Sequence, residues 1–369
     1  MSSGGFDPLV HGPTHLTILP TYRCTAACEQ CCFESSPHLG GRIPIDRILG
    51  YIDQAARDFP TLKLVVFSGG ECFLLRADLD RAVARAAGHG LGTRCVTNGY
   101  WATSDAAARR RIAPLYEAGL SEINFSTGDD HQKFVPFDRI VTGAVAAAEF
   151  GLRAVIVVEG HARARFRMEQ ALAHPRLAEF LAASPARERL TLLNNVWIPF
   201  RETADLRQEE EIYRRRERLE RFEGCDNILE NMVITPHEQL ASCCGLTFEH
   251  IPEMKLGSAR ERPMRELYDE QLKDFIKIWI RVEGPEKIFD FVTRKDPGIP
   301  FPDGATHPCQ TCAALFLNPR VRRVLREHYL EKVPDVMFRY QMMRGLERRS
   351  DPSFAPAPAG PAARVGFGA

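Results

Sequence analysis

From residue 15 to residue 196, short apolar runs alternate with longer amphipathic stretches. Short apolar runs bounded by turn residues are typical of buried strands, and apolar residues that recur every three or four positions are typical of helices. The pattern predicts strands at 16–19, 62–67, 94–97, 122–126, 154–158 and 190–196. It predicts intervening helices at 46–57, 77–87, 106–118, 139–150 and 168–183. Strands that alternate with helices in this way indicate a parallel sheet built from βα units.

The six predicted units are fewer than the eight of a closed (β/α)8 barrel. We therefore expect an α/β fold, with a partial (β/α)6 TIM-like barrel over residues 15–200. Active sites of such barrels gather at the carboxyl ends of the strands. Distinctive polar motifs follow the predicted strands at those ends: a cysteine loop, Ser68-Gly69-Gly70-Glu71, Thr97-Asn98-Gly99, Ser126 to His131, and Glu159-Gly160. This agreement predicts one site at that edge of the sheet.

The composition narrows the class of protein. The chain has 369 residues, with 48 basic and 48 acidic side chains, so its net charge gives no preference for nucleic acid or an anionic membrane. The sequence has neither the roughly 18-residue apolar run of a membrane span nor an N-terminal targeting pattern. We expect a cytoplasmic protein, and in that compartment clustered cysteines favour metal binding or catalysis over disulfides.

Three cysteines directly after the first predicted strand have the spacing C-x3-C-x2-C: Cys24, Cys28 and Cys31. A [4Fe–4S] cluster normally takes one thiolate on each iron. Three thiolates in one short loop hold three corners and leave the fourth iron open to another ligand. An open coordination position is typical of a metal centre that takes part in chemistry.

This motif resembles the signature of the radical S-adenosylmethionine (SAM) superfamily. The resemblance implies that SAM binds the open iron and is cleaved reductively to a 5′-deoxyadenosyl radical, which removes a substrate hydrogen. It also implies an external one-electron reductant such as flavodoxin or ferredoxin. By the same resemblance, the SAM-binding residues are the GGE motif Gly69, Gly70 and Glu71, with Asn98 near the methionine end and Ser126 and Asp129 at the ribose. The Glu71 carboxylate is expected to accept a hydrogen bond from the methionine ammonium.

Two positions depart from the family pattern. Gln30 stands before the third cysteine, where the family usually has an aromatic residue, and Cys72 stands where proline often follows GGE. A Cys72 thiol that faces the site would return a hydrogen atom to a substrate radical, as peptide epimerases of this superfamily require. The alternative is a small apolar residue packed under the loop. A structural zinc site, with Cys32 as fourth ligand, is the rival interpretation of the cysteine loop, but it leaves GGE unexplained.

The second half of the chain contains five further cysteines. Residues 201–223 predict a charged linker helix, and residues 224–349 a second domain with a β-hairpin at 232–242. The predicted ligands of an auxiliary [4Fe–4S] cluster are Cys225, Cys243, Cys309 and Cys312, an order that resembles the Twitch domain, the smaller relative of SPASM. Cys244 is an alternative to Cys243. A structural zinc, or buried cysteines without metal, are the other interpretations.

The two ends of the chain differ in composition from the predicted domains. Residues 1–14 form an N-terminal segment, and the Pro-, Ala- and Gly-rich residues 350–369 predict a disordered tail.

Twitch and SPASM relatives often crosslink, epimerise or oxidise ribosomally made peptides, so peptide modification is the expected function. The residues before the first strand are too few to form a leader-recognition domain. A separate protein can supply the leader binding. Dehydrogenation of a carbohydrate or other small-molecule alcohol is the alternative, and a non-catalytic iron–sulfur electron-transfer protein is the most distant one.

Overall fold

A parallel sheet forms the centre of the computed structural model, which describes residues 12–198 and 207–350, without the side chains of 346–350. Its first six strands are β1 (His15–Ile18), β2 (Leu64–Phe67), β3 (Gly92–Thr97), β4 (Glu122–Thr127), β5 (Arg153–Gly160) and β6 (Leu190–Val196). The intervening helices are α1 (Ile45–Asp58), α2 (Ala77–Gly88), α3 (Asp105–Glu117), α4 (Asp129–Gln132), α5 (Phe137–Phe150), α6 (Met168–Leu172) and α7 (Pro175–Ala183). All six strands run parallel and lie in the order 6-5-4-3-2-1. The predicted α/β fold with a partial six-strand barrel is confirmed.

Alternation along the strands separates the apolar core from the site. In β3 and β4, Cys95, Ile123 and Phe125 are fully buried on the side covered by the helices. Val96 and Ser126 point the other way, toward a cavity inside the sheet. Successive side chains of a strand lie on opposite faces, so one strand contributes both to the core and to the cavity wall.

The second half of the chain begins with three more strands and continues with helices. These elements are β7 (Asn231–Ile234), β8 (Gln239–Ala241), β9 (Lys255–Ser258), α8 (Met264–Gln271), α9 (Phe275–Lys295), α10 (Pro308–Leu317), α11 (Pro319–His328) and α12 (Val333–Ser350). The antiparallel pair β7–β8 confirms the predicted hairpin. Strand β7 also pairs in parallel with β1, with Leu16 opposite Met232, so the hairpin extends the barrel sheet. Sequence analysis did not predict this pairing, because nothing local marks a contact between such distant residues.

Proline and glycine interrupt two helical stretches, one of which was predicted as a single helix. The helix predicted at 168–183 is two helices, α6 and α7, and the second begins at Pro175. Proline has no N–H to donate and is tolerated at the first position of a helix. Helix α9 is kinked at Gly284, whose φ of +80° only glycine adopts readily, immediately before Pro285.

The continuous linker helix predicted over 201–223 is wrong for its described part. Residues 199–206 lie outside the described ranges, and two short 3₁₀ helices, Glu210–Ile212 and Arg216–Arg221, follow them. Arg214 instead forms an ion pair with the buried Glu286, and Arg216 one with Asp290, at 2.5 and 2.7 Å. Ion pairs with α9 therefore fix the position of this segment, and not the i,i+4 pairs of a regular helix.

The predicted chain ends fall mostly outside the description. Residues 1–11 and the predicted disordered tail beyond residue 350 are not among the described residues. Within 12–198 and 207–350, no helix has the length and apolar character that a membrane crossing needs.

Candidate active site

The loop after β1 carries three cysteines to one cavity. Cys24, Cys28 and Cys31 all line a cavity of about 270 Å³ at the carboxyl ends of the barrel strands. Gly69, Gly70, Asn98 and Ser126 line the same cavity. The structure thus brings together residues that sequence analysis assigned to one cluster and its SAM.

An acidic side chain from α4 holds the cysteine loop. Asp130 accepts hydrogen bonds from the backbone N–H groups of Glu29 and Gln30, at 2.6 and 3.4 Å. Lys133 donates to its other oxygen at 2.7 Å. Asp130 is buried, and a buried carboxylate needs such partners. Sequence analysis did not assign this positioning role to Asp130, although the residue lies in the polar motif from Ser126 to His131.

The two glycines of GGE permit close contact between the second strand end and the cysteine loop. A Cβ added to Gly70 would lie 2.3 Å from the carbonyl oxygen of Arg23 and 2.5 Å from that of Tyr22. One added to Gly69, whose φ is +105°, would lie 2.7 Å from the Thr21 oxygen. The N–H of Gly70 donates to that same oxygen at 2.8 Å. These glycines are therefore required by the packing of the loop that carries the cysteines.

Glu71 is fully buried and does not line the cavity. Its carboxylate accepts from the N–H of Phe73 at 3.0 Å, from the N–H of Asn98 at 2.9 Å, and from the Thr97 hydroxyl. Burial raises the pKa of Glu71 to about 7, although these hydrogen bonds act to lower it. The structure therefore places Glu71 beneath Asn98, where it orients the strand end, and not within the cavity where a methionine ammonium would lie.

Asn98 touches the first cysteine. Its Nδ2 donates to Thr25 Oγ1 at 3.0 Å and approaches Cys24 Sγ at 3.5 Å, and the N–H of Ala26 approaches the same sulfur at 3.4 Å. Burial, with a smaller contribution from Glu71, raises the pKa of Cys24 to about 12. A buried thiol of this kind ionises when it coordinates a metal cation. The surroundings of Cys24 therefore suit a thiolate ligand of iron better than a free nucleophilic thiol.

The two predicted ribose contacts separate. Ser126 lines the cavity, whereas Asp129 does not. The Asp129 carboxylate accepts from the backbone N–H groups of Arg165 and Phe166, at 2.7 and 2.8 Å. Its position assigns it to holding the loop after β5.

Cys72 lies away from the cavity. Its side chain is fully buried in the apolar core, where the thiol donates to the carbonyl oxygen of Val96 at 3.3 Å and lies beside Cys95. The hydrogen-donor role predicted for Cys72 is wrong. The 3₁₀ turn after Glu71 directs the Cys72 sulfur into the core under the loop. The alternative interpretation, a small apolar core residue, matches this position.

The far wall of the cavity is aromatic and polar. The rings of His131 and Trp197 stack with centroids 5.2 Å apart, and His131 Nδ1 lies 3.8 Å from a Glu159 oxygen. Burial raises the pKa of Glu159 to about 7, against a hydrogen bond from Asn195, and lowers that of His131 to about 4. At neutral pH His131 is therefore uncharged, whereas Glu159 is near its pKa and only partly ionised. Trp197 was missed by sequence analysis because it lies beyond the last predicted strand.

Two cysteines outside the motif also reach this cavity, Cys32 and Cys244. Cys244 comes from the segment after β8, in the second half of the chain. Its sulfur accepts from Asn231 Nδ2 at 2.8 Å and donates to Asn227 Oδ1 at 3.2 Å. Asn231 itself accepts from the buried Thr17 hydroxyl of β1 at 2.9 Å. The β1–β7 pairing therefore brings the Cys244 thiol to the barrel site.

A second cavity, of about 410 Å³, is lined by all four predicted auxiliary ligands, Cys225, Cys243, Cys309 and Cys312. A Cβ added to Gly245 would lie 3.1 Å from Cys309 Sγ and 3.5 Å from Cys243 Sγ, so those two sulfurs face one small volume. Cys243 lines this cavity and Cys244 does not. In the described ranges no three His, Cys, Asp or Glu side chains are grouped to hold a metal ion as they stand.

The kink in α9 positions Cys225. The N–H of Cys225 donates to the Ile280 carbonyl oxygen at 3.0 Å. A Cβ on Gly224 would lie 2.0 Å from the Arg281 oxygen, and one on Gly284 would lie 2.3 Å from the Glu223 oxygen. The break at Gly284 therefore admits the segment that carries this cysteine.

Comparison with known proteins supports the interpretation of the cysteine loop and the strand ends around it. Residues 18–157 match the model of the Radical SAM superfamily. A curated relative, the putative peptide biosynthesis protein YydG of Bacillus subtilis (strain 168), is 26% identical over 113 residues. That alignment covers 31% of this chain and 35% of the relative, so the chain matches about a third of its length.

Solved structures show the same fold. Native anSMEcpe with bound AdoMet has a TM-score of 0.54 at 12% identity, covering 89% of this chain and 100% of that one. The same protein with AdoMet and the Cp18Cys peptide has a TM-score of 0.53 at 13% identity, covering 90% and 99%. The cysteine motif, the partial barrel and the match over residues 18–157 thus all indicate a radical SAM domain in this part of the chain.

Proposed function

We propose that the protein modifies a peptide by radical SAM chemistry and that the modification is an epimerisation. One observation carries the choice of reaction: the Cys244 thiol lines the same cavity as Cys24, Cys28 and Cys31 but lies outside their motif. A thiol at the reaction site is the group that returns a hydrogen atom to a carbon radical.

The residues of the first cavity fit the cofactors that the superfamily implies. Cys24, Cys28 and Cys31 would hold three irons of a [4Fe–4S] cluster, and Asn98 lies against the first of these thiols. When bound, the cluster and SAM supply the 5′-deoxyadenosyl radical that removes a hydrogen atom from the substrate. Gly70 and Asn98 line the cavity beside the cysteines, and His131 and Trp197 form its opposite wall. The substrate therefore lies between the cysteine loop and that wall, within reach of Cys244.

Cys244 then completes the inversion. Its S–H bond breaks and a C–H bond forms on the face opposite the one that lost hydrogen. The thiyl radical left on Cys244 takes one electron from the external reductant and one proton from solvent, which restores the thiol. Asn231 and Asn227 hold the sulfur in place by hydrogen bonds.

The peptide class has independent support. The name of the relative YydG refers to peptide biosynthesis, and a structure with the same fold contains a bound peptide. The cavity itself presents the stacked rings of His131 and Trp197 beside hydrogen-bonding side chains, which suit peptide amides and apolar side chains. Dehydrogenation of a small-molecule alcohol stays the alternative, and it requires no hydrogen donor at Cys244.

A solvent-deuterium experiment tests the proposal. In D2O, wild-type protein with a short peptide encoded beside its gene is expected to place one deuterium on the inverted carbon, because the Cys244 thiol exchanges with solvent. Cys244→Ala is expected to keep 5′-deoxyadenosine formation and to lose at least about 90% of this deuterated product, a factor of ten or more. Mass spectrometry and chiral amino-acid analysis measure both quantities.

Cys72→Ala is the matched control, since it removes a buried thiol that does not reach the cavity, and it should retain deuterium incorporation. Equal incorporation by Cys244→Ala and wild type would overturn the epimerase proposal. Product that has lost two hydrogens would indicate crosslinking or dehydrogenation instead.

We also propose an auxiliary [4Fe–4S] cluster at Cys225, Cys243, Cys309 and Cys312. These four thiols line one cavity, and burial raises the pKa of Cys309 to about 11 and that of Cys312 well above its ordinary value, so metal is needed to ionise them. Cys312→Ala is expected to lower the iron content of anaerobically reconstituted protein by about half, from two clusters to one. Iron analysis with a zinc assay measures this.

Cys95→Ala, which removes a core cysteine, serves as the control for that experiment and should keep both clusters. Wild-type protein that binds only one cluster after full reconstitution, or that binds zinc at the second site, would contradict the auxiliary iron–sulfur site.

A further inference from the structure

A groove with a lining different from that of the cavity lies at the start of the cysteine loop. It has a volume of about 660 Å³ and is lined by Thr21, Arg23, Gly41, Arg42 and residues 74–78. Three arginines from three separate segments, Arg23, Arg42 and Arg76, contribute to it, and all three residues are exposed. Their shared exposure on one groove makes this a cationic surface.

The charge of this groove is only partly neutralised. Asp78 is its one lining carboxylate, and it is already bonded by Arg42 and by Arg81, each at 3.2 Å. Among the described residues, no carboxylate lies within ion-pair distance of Arg23 or Arg76. Because the whole chain has no net charge, long-range attraction to an acidic partner must come from a local patch such as this one.

The groove is separated from the proposed cluster site by little more than backbone. Arg23 directly precedes Cys24, so its side chain lies on the groove while the next residue's thiol lines the cavity. The carbonyl oxygen of Arg23 accepts from the N–H of Glu71 at 3.0 Å, and that of Thr21 accepts from Gly70. Adjacent residues and backbone hydrogen bonds therefore join the groove to the cavity, which gives an electron a short path between them.

We infer that the groove is the docking surface for the external reductant, a small acidic one-electron carrier protein. This inference rests on the proposed function, since it needs a redox-active cluster at Cys24. The arginines are solvent-exposed and come from separate loops. Such a spread of charge suits the acidic face of a protein, because a small anion would need a compact set of buried donors.

The test measures reduction of the reconstituted holoenzyme by reduced flavodoxin in stopped-flow experiments at several salt concentrations. The double variant Arg23→Glu/Arg42→Glu is expected to be reduced about tenfold or more slowly at low salt, with the difference shrinking as salt increases. Photoreduced deazaflavin, a small neutral reductant, should reduce variant and wild type equally. Arg110→Glu/Arg326→Glu, which changes the same charge at exposed positions outside the groove, is the matched control.

Several results would overturn the docking surface: an unchanged rate with flavodoxin, equal slowing in the control pair, or equal slowing with deazaflavin. The last result would show that the substitutions damage the cluster site itself. A wild-type protein that forms no 5′-deoxyadenosine with either reductant would instead contradict the proposed function. The two failures are therefore distinguishable.

Discussion

Cys28→Ala is expected to reduce 5′-deoxyadenosine formation from SAM by about a thousandfold or more, equivalent to about 4 kcal/mol in the barrier. Cys28 lines the cavity with Cys24 and Cys31, and two remaining thiolates cannot hold a cluster that leaves only one iron open. Its side chain is also close enough to Asp130 for that carboxylate to raise the pKa of the thiol, after the larger effect of burial. The measurement is chromatographic detection of 5′-deoxyadenosine with anaerobically reconstituted, reduced protein.

The matched control is Cys95→Ala, which removes a fully buried thiol from the helix-covered face of β3, whereas Cys28 is only partly buried. Its expected effect is on stability, because it leaves a small void in the core, and not on SAM cleavage. Substantial 5′-deoxyadenosine from Cys28→Ala, or equal losses in both variants, would contradict the assignment of the cluster to this loop.

Gly70→Ala is expected to lower the rate of SAM cleavage about a hundredfold or more, because the new side chain displaces the cysteine loop. A displacement of about 1 Å at a catalytic site lowers the rate by about that factor. The new Cβ would lie 2.3 and 2.5 Å from two backbone carbonyl oxygens, those of Arg23 and Tyr22. Backbone atoms cannot move aside as a flexible side chain does, so the loop itself must shift. Iron content and the visible spectrum of the first cluster measure the displacement, and 5′-deoxyadenosine yield measures its consequence.

Gly50→Ala makes the same chemical change in α1, where the added Cβ would meet nothing within 4 Å. It should leave iron content unchanged and raise stability by about 0.5–1 kcal/mol, since alanine is the better helix former. A Gly70→Ala protein with a full cluster and normal activity would show that the contact between the GGE strand end and the cysteine loop is not required.

The sequence alone was sufficient to predict the barrel and the position of the cysteine loop at the end of its first strand. Apolar strands and amphipathic helices alternate by local periodicity, and the parallel sheet follows from that alternation. The spacing of Cys24, Cys28 and Cys31 is also local, because one loop carries all three. The grouping of Cys225, Cys243, Cys309 and Cys312 around the second cavity was likewise anticipated, although the metal there stays a prediction.

Only the tertiary structure decided where individual side chains at the strand ends point. Glu71 and Asp129 are polar residues at the predicted edge, but nearby backbone N–H groups take their carboxylates out of the cavity. Cys72 follows the same motif, yet a single 3₁₀ turn directs it into the core. Such choices depend on which donors the rest of the fold places nearby, and no local pattern encodes them.

The adjacent pair Cys243 and Cys244 shows the same division between sequence and structure. The sequence predicts a metal-binding cysteine at this point but treats the two residues as alternatives. In the structure they line different cavities, because β7 pairs with β1 and so brings the segment after β8 to the barrel sheet. The residue types are local information. The assignment of one thiol to each site depends on a contact between residues more than two hundred positions apart, such as that of Thr17 with Asn231.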